Sequence, residues 1–241
     1  MSSPRVAIVT GSSRGIGRAI AERLAADGVA TVVNFRADSR AAHEVVATIE
    51  AAGGRALAIQ ADVADPDQLN RLFDAAEQHL GGLDIVVSNV GAWVEGPLAD
   101  ATDQDFDHVF SINARSTFRV LREAARRLRD GGRVVVVSSG VTLAPRSSNG
   151  LFAASKAAAE QLARALAHEL APRGITVNSV LPGPTRTERA MPPAMARQLA
   201  AQTPLGRLGE PADIAAIVGF LASDAGGWMT GQTLRAGGGL L

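Results

Sequence analysis

The chain reads as an α/β protein, a single doubly wound sheet of about seven parallel strands with helices on both faces. Two observations predict this. Short, β-branched apolar runs alternate with segments of helical periodicity along nearly the whole chain, and the turns between them are short and glycine-rich. Parallel neighbours cannot be joined by a hairpin, so each pair needs a crossover, and repeated helical crossovers cover both faces of the sheet. With 241 residues there is enough chain for one sizeable core, and one domain over residues 1–241 is expected.

Each element has its own signal. Arg5 to Thr10 is a short strand that stops at Gly11-Ser12-Ser13-Arg14-Gly15-Ile16-Gly17, after which Ile16, Ile20 and Leu24 recur at helical spacing. Val29 to Phe35 is a second strand, and Ala42, Val45, Val46 and Ile49 mark a helix closed by Gly53-Gly54. A third strand covers Arg55 to Gln60. Pro66 then opens a helix carrying Leu69, Leu72, Phe73 and Ala76, as proline does in a first turn.

Leu83 to Val87 is a fourth strand, followed by Ser88-Asn89-Val90-Gly91 and a loop with Trp93 and Pro97. One helical region is expected from Phe106 through Asn113 to Leu128, ended by Gly131-Gly132. Arg133 to Ser138 is a continuous apolar run of the kind buried on both faces. From about Leu151 a helix runs to near Pro172. Ile175 to Val180 is the sixth strand, broken by Leu181-Pro182-Gly183-Pro184, and Gly231 to Arg235 the last. Residues 184–210 carry only a weak helical pattern around Met195 and Leu199, and so long an irregular segment predicts a lid or binding loop.

Acidic and basic side chains balance at 24 each, with no block of like charge, which points away from nucleic acid and anionic membrane and toward a small-molecule partner. The absence of cysteine excludes disulfides and thiolate metal sites, and no metal is expected. No apolar run approaches the roughly 18 residues of a membrane span. A soluble, cytoplasmic protein is the expectation.

Chemistry is signalled first by composition. Lys156 is the sole lysine; every other basic side chain among the 24 is arginine. Lysine is a compact ammonium on a flexible stem whose pKa shifts readily, whereas arginine is a wide planar fork, so one site calls for the compact cation. Phe152 lies four residues earlier and shares its helix face. The turn with Gly11, Gly15 and Gly17 sits between the first strand and first helix, where free N–H groups and the helix dipole favour a phosphate. A tight connector is the plain alternative.

Thr10-Gly11-x-x-x-Gly15-Ile16-Gly17 resembles the short-chain dehydrogenase/reductase family, and further motifs extend the likeness almost end to end. Asn89-Val90-Gly91 resembles the family's Asn-Ala-Gly, Asn113 falls at its helix asparagine, and Ser139 stands 13 residues before Phe152, the spacing from catalytic serine to tyrosine. Lys156 matches the lysine of Tyr-x-x-x-Lys, Pro182-Gly183 the loop beside the nicotinamide, and Gly231-Gln232 the start of the last strand. The likeness is greatest to bacterial 3-oxoacyl-carrier-protein reductases and related ketoreductases. It implies a Rossmann-type fold, a carbonyl or alcohol substrate, and a homotetramer or homodimer built on helices near 106–129 and 151–171, with Ala157, Ala158, Ala159, Leu162 and Leu166 as a close-packing face.

Cofactor choice follows from charge. An acid at the end of the second strand would accept the ribose 2′-OH of NAD and repel a 2′-phosphate. Here Asn34-Phe35-Arg36 offers none, and Arg14 lies in the glycine turn, which favours NADP(H). The resemblance places further cofactor contacts at Ser13, Ile16, Asp62, Val63, Asn89, Gly91, Pro182, Gly183, Thr185 and Thr187, beside Lys156 itself.

In the family, tyrosine donates the proton to the carbonyl oxygen, serine holds that oxygen, lysine grips the ribose and lowers the tyrosine pKa, and asparagine anchors a water. Ser139, Lys156 and Asn113 match; the tyrosine position is Phe152, and the chain contains no tyrosine. His43, His79, His108 and His168 fall on helices and read as surface residues. Water held by Ser139 and Lys156, or a group on the substrate, is the better proton source, and Arg146, Trp93, Glu95 and Arg186 are expected at the pocket rim. Three readings remain open at this stage: a reductase with an altered proton path, a silent cofactor-binding subunit supporting an active paralogue, and an engineered Tyr-to-Phe form of an ordinary reductase.

Overall fold

The computed structural model describes residues 4–145, 147–188 and 191–241. Among them one sheet holds seven strands: β1 (Val6–Val9), β2 (Ala30–Phe35), β3 (Ala56–Gln60), β4 (Ile85–Ser88), β5 (Arg133–Val137), β6 (Thr176–Pro182) and β7 (Thr233–Ala236). Their order is β3-β2-β1-β4-β5-β6-β7 and every pair is parallel. The order reverses between β1 and β4, and the carboxyl ends of those two strands open the crevice where ligands bind in such sheets.

Side chains alternate along the strands into two cores. Ile8, Val32, Val86 and Val134 join helices α3 (Pro66–Leu80), α5 (Ser116–Arg127) and α6 (Gly150–Leu170) on one face. Ala7, Val33, Val87 and Val135 meet α1 (Gly15–Ala26), α2 (Ser39–Ala51) and α8 (Pro211–Ala222) on the other. Helix ends follow local chemistry. The Asp65 carboxylate accepts the Asp67 and Gln68 N–H groups ahead of Pro66, and Gly81 at φ 90° closes the same helix. Thr102 and Asp105 form a reciprocal capping box at the start of α4 (Asp103–Phe110).

Several boundaries differ from the sequence expectation. The helical region expected without a break from 106 to 128 is α4, one π-helical turn at Ser111–Arg115, and then α5. The widened turn holds Asn113, whose amide bonds the loop after β4, a tertiary contact that periodicity does not register. β6 runs on to Pro182 instead of stopping at Val180. Pairing with β5 ends at Val180, so the N–H that Pro182 lacks is needed by no partner there, while Leu181 and Pro182 still register against Arg235 and Ala236 of β7. The segment 184–210 contains a true helix, α7 (Pro193–Gln202), which buries only Leu199 and therefore shows a weak pattern.

On the assembly face, Ala159 and Leu166 are buried in the chain's own core, whereas Ala157, Ala158 and Leu162 remain half-buried. The close-packing stripe expected on α6 is therefore narrower than its sequence.

Candidate active site

At the switch point the chain is laced by side chains. The Asn89 amide donates to the carbonyls of Thr10 and Gly11, both at 3.1 Å, and its backbone N–H donates to Thr10 Oγ1 at 2.9 Å. These bonds pin the glycine turn to the end of β4. A Cβ on Gly17 would lie 2.4 Å from the Gly11 carbonyl oxygen and 2.6 Å from Asn89 Nδ2, so the turn closes this tightly only on glycine.

The resulting groove measures about 680 Å³ and runs over Gly11, Ser13, Arg14, Gly15, Ile16 and Gly17 to Asn34 and Arg36, past Asp62, Val63, Asn89 and Gly91, to Thr187. Arg14 and Arg36 are both exposed in it. Asn34 is buried and committed: its Oδ1 accepts the Gly11 N–H at 3.1 Å and its Nδ2 donates to the Ala61 carbonyl at 3.1 Å, so it braces the turn from below. Asp38, two residues past Arg36, turns its carboxylate to the Ala41 N–H as the cap of α2. Asp62 Oδ1 accepts from Ala64 N–H.

Farther along, Lys156 on α6 reaches the carboxyl end of β5 and the loop after β4. Lys156 is buried, and its ammonium donates to the carbonyls of Val137 at 3.1 Å and Val90 at 3.3 Å. Burial pushes it down from the ordinary lysine value to about 8; Glu160, one turn on, opposes part of that shift. Glu160 itself accepts a short hydrogen bond from the Ser138 hydroxyl. Gly91 borders Nζ: a Cβ there would come within 3.0 Å of it. The buried Asn113 amide closes a reciprocal pair with Ala92, accepting its N–H at 2.7 Å and donating to its carbonyl at 2.9 Å, and donates again to Ser155 Oγ at 2.9 Å. Ser139 is half-buried, with Oγ accepting the Val141 N–H at 3.4 Å.

Phe152 is buried against Trp93, with ring centroids 4.2 Å apart and planes inclined by 44°. The hydroxyl that tyrosine would carry is absent from that ring, and the hydrogen-bond chain around it runs through Ser155, whose Oγ donates to the Phe152 carbonyl at 2.8 Å.

The family model described as enoyl-(acyl carrier protein) reductase matches residues 11–241. An uncharacterised oxidoreductase of Methylorubrum extorquens is 41% identical over 241 residues, covering 98% of this chain and 97% of its own. The chain belongs to the short-chain dehydrogenase/reductase family. Versicolorin reductase of Emericella nidulans is 41% identical over 254 residues, with 98% and 95% covered. The structure of the angucycline C-6 ketoreductase LanV with bound NADP matches with a TM-score of 0.94 at 38% identity, over 98% of this chain and 95% of that one.

Within this short-chain dehydrogenase/reductase fold, Lys156 borders Gly91 and Asn113 holds Ala92, both of which line the groove; Phe152 shares α6 with Lys156, and Ser139 lies two residues past Val137, whose carbonyl accepts from Lys156. Pro182 and Gly183 close β6, Thr185 bridges to Gly209, and Thr187 reaches over Gly15 beside the glycine turn. Of the rim residues expected from sequence, Trp93 is in the site, Glu95 accepts from Ser148 at 3.5 Å, Arg186 pairs with Glu210 at an exposed position, and Arg146 lies outside the described residues. His43, His79 and His168 are exposed on their helices, but exposed His108 also lines the groove, with Ile112 and Ser116.

Sequence reasoning missed three features. Glu188 approaches Gly15, so that the segment after β6 folds back over the glycine turn. Ser155 links Asn113 to the Phe152 turn, and Leu241 lays its side chain against Gly140, beside Ser139. Small polar residues and a terminal leucine carry no pattern that would mark them. Among the described residues no cluster of His, Cys, Asp or Glu could hold a metal ion, and no helix is long and apolar enough to cross a membrane.

Proposed function

We propose that the protein is an NADP(H)-dependent oxidoreductase of ketoreductase type, passing hydride between the nicotinamide and a carbonyl or secondary alcohol, with Phe152 at the place of the proton-donating tyrosine. The observation that carries this reading is the lone lysine, bonded to the carbonyls of Val137 and Val90 beside Gly91, which lines the glycine-rich groove. The versicolorin and angucycline reductases named above support the ketoreductase class, and the NADP bound to LanV supports the cofactor.

The groove fits a dinucleotide. Gly11, Gly15 and Gly17 leave backbone exposed at the N-terminus of α1, suited to a pyrophosphate. Arg14 and Arg36 suit a 2′-phosphate, while the carboxylate of Asp38, two residues past Arg36, is engaged in capping α2. Asp62 and Val63 border the adenine end, and Pro182, Gly183, Thr185 and Thr187 the nicotinamide end. When bound, the cofactor supplies or takes up the hydride. Lys156 has donated two of its three N–H groups to main chain and keeps one for a ribose hydroxyl or a water. On this reading Ser139 holds the substrate oxygen, and Asn113 fixes the backbone of Ala92, which lines the groove.

Phe152 cannot transfer a proton. A positioned acid contributes about 10²–10⁴-fold, or roughly 3–5 kcal/mol of barrier, so carbonyl reduction here proceeds slowly by a proton from water lodged between Ser139 and Lys156. The segment 184–210, with α7, is proposed as the substrate lid. Assembly into a homotetramer or homodimer is proposed through α4, α5 and α6, where Phe106 and Phe118 are exposed beside half-buried Ala157, Ala158 and Leu162. A monomer by light scattering at micromolar concentration overturns that assembly.

Two measurements test the function. Titration should show NADPH binding more tightly than NADH, with Arg36→Ala narrowing the difference; equal affinities contradict the cofactor assignment. Phe152→Tyr should raise reduction of a generic ketone or 3-oxoacyl substrate by about 10²-fold or more. If instead NADPH binds and neither form turns over without a partner chain, the protein is a silent subunit and the enzyme reading fails.

A further inference from the structure

Two glycines are required here by space and not by backbone conformation. Gly140 and Gly237 both lie outside the positive-φ region that favours glycine, yet a Cβ on either would collide with the side chain of Leu241. On Gly140 the nearest three atoms would be Cδ1, Cδ2 and Cγ of that leucine, with Cδ2 at 2.6 Å; on Gly237, Cδ1 and Cγ would stand at 2.6 Å. Leu241, itself half-buried, fills the notch between them.

Each glycine belongs to a different working part. Gly140 opens the 3-10 turn Gly140–Thr142, which the Thr142 N–H and hydroxyl tie to the Ser139 carbonyl at 3.2 and 2.9 Å. Gly237 begins the stretch after β7, and that stretch meets both ends of the proposed lid. At the entry, the Gly183 N–H donates to the Ala236 carbonyl at 2.9 Å, and a Cβ on Gly183 would come within 2.7 Å of Gly237 Cα. At the exit, the Leu205 N–H donates to the Gly238 carbonyl at 3.2 Å, while Thr203 and Pro204 crowd Gly238 and Gly239. A cavity of about 170 Å³ lies beside these ends, lined by Pro184, Thr203, Leu205, Ile217, Ala236 and Gly238. On that side the lid ends rest on the stretch after β7 and not on filled core.

We propose that Leu241 is a positioning residue: seated between Gly140 and Gly237, it couples the turn that sets Ser139 to the two ends of the 184–210 segment. Close-packed groups pass a displacement on, because neither glycine can shift toward the notch without moving the leucine. The role of Ser139 as holder of the substrate oxygen rests on the ketoreductase reading above. The coupling itself does not.

Hydrogen exchange of the full chain reads the coupling without turnover. In Leu241→Ala the amides of Thr142 and Leu205 should exchange about tenfold faster, while those of Ser12 and Asn89, at the glycine turn, keep their rates. Ketone reduction reads the consequence. With NADPH and α-tetralone, in the Phe152→Tyr background, Leu241→Ala should lower kcat/KM by about 10- to 10²-fold, as misplacing a positioned group by about 1 Å does, with NADPH affinity unchanged. Leu241→Met should stay near the parent. Gly140→Ala should harm both readouts, and Gly140→Ala with Leu241→Ala should recover most of the loss, because the new methyl takes the space that the leucine leaves. Faster exchange at only one of the two amides or at neither, or losses that multiply in the double variant, overturns the proposal. If exchange responds as expected and α-tetralone is still not reduced in the Phe152→Tyr background, the coupling stands and the ketoreductase reading fails.

Discussion

The site is organised around one constraint: a single ammonium is buried beneath the carboxyl ends of two neighbouring strands. A lysine taken out of water must find acceptors, and Lys156 finds them in the carbonyls of Val137 and Val90. Those acceptors exist only if α6 lies over the strand ends in one register, so the bonds tie helix, β5 and the loop after β4 into a unit. The remaining features protect that arrangement. Gly91 leaves the space that Nζ needs, Asn113 holds Ala92 by a reciprocal amide pair, and Ser138 donates to the Glu160 carboxylate, whose attraction for Lys156 is outweighed by burial. The ammonium is consequently less basic than an exposed lysine, which suits a group that holds a ribose or shares a proton.

Much of this was legible in the sequence because it is local. Strand-helix alternation gave the layers, the glycines after β1 gave the switch-point turn, and the spacing of the sole lysine from Phe152 put both on one helix, α6. Contacts made at a distance were not legible. The π-helical turn around Asn113 exists because its amide reaches Ala92, 21 residues away, and hydrophobic periodicity reads through such a turn without a break. Pro182 looked like the end of β6 because proline removes a ladder donor, but whether that donor is needed depends on where β5 stops. Asn34 sat at the residue expected near the ribose, and in the fold it faces inward to brace the turn. Leu241 meets Gly140, far from it in the chain.

On the proposed reading, Phe152 stands where relatives carry a phenol. Ring packing against Trp93, the helix face shared with Lys156, and the Ser155 bond to the Phe152 carbonyl involve carbon atoms and main chain. On the proposed reading the protein therefore keeps the means to hold a dinucleotide and orient an acceptor, and differs from its relatives in the source of the proton.

That account depends on Lys156 being buried and close to neutrality, and the sequence allows a direct check because a selective lysine label reports one side chain. Titration of the ¹⁵Nζ-labelled protein by NMR should give a single resonance with a midpoint near 8, well below the ordinary 10.5, and NADPH should perturb that resonance. Stability should rise with pH between these two values, since the unfolded chain there binds a proton that the folded chain does not. A midpoint near 10.5, unaffected by NADPH, would mean that the ammonium is in solvent and that the site does not form as described.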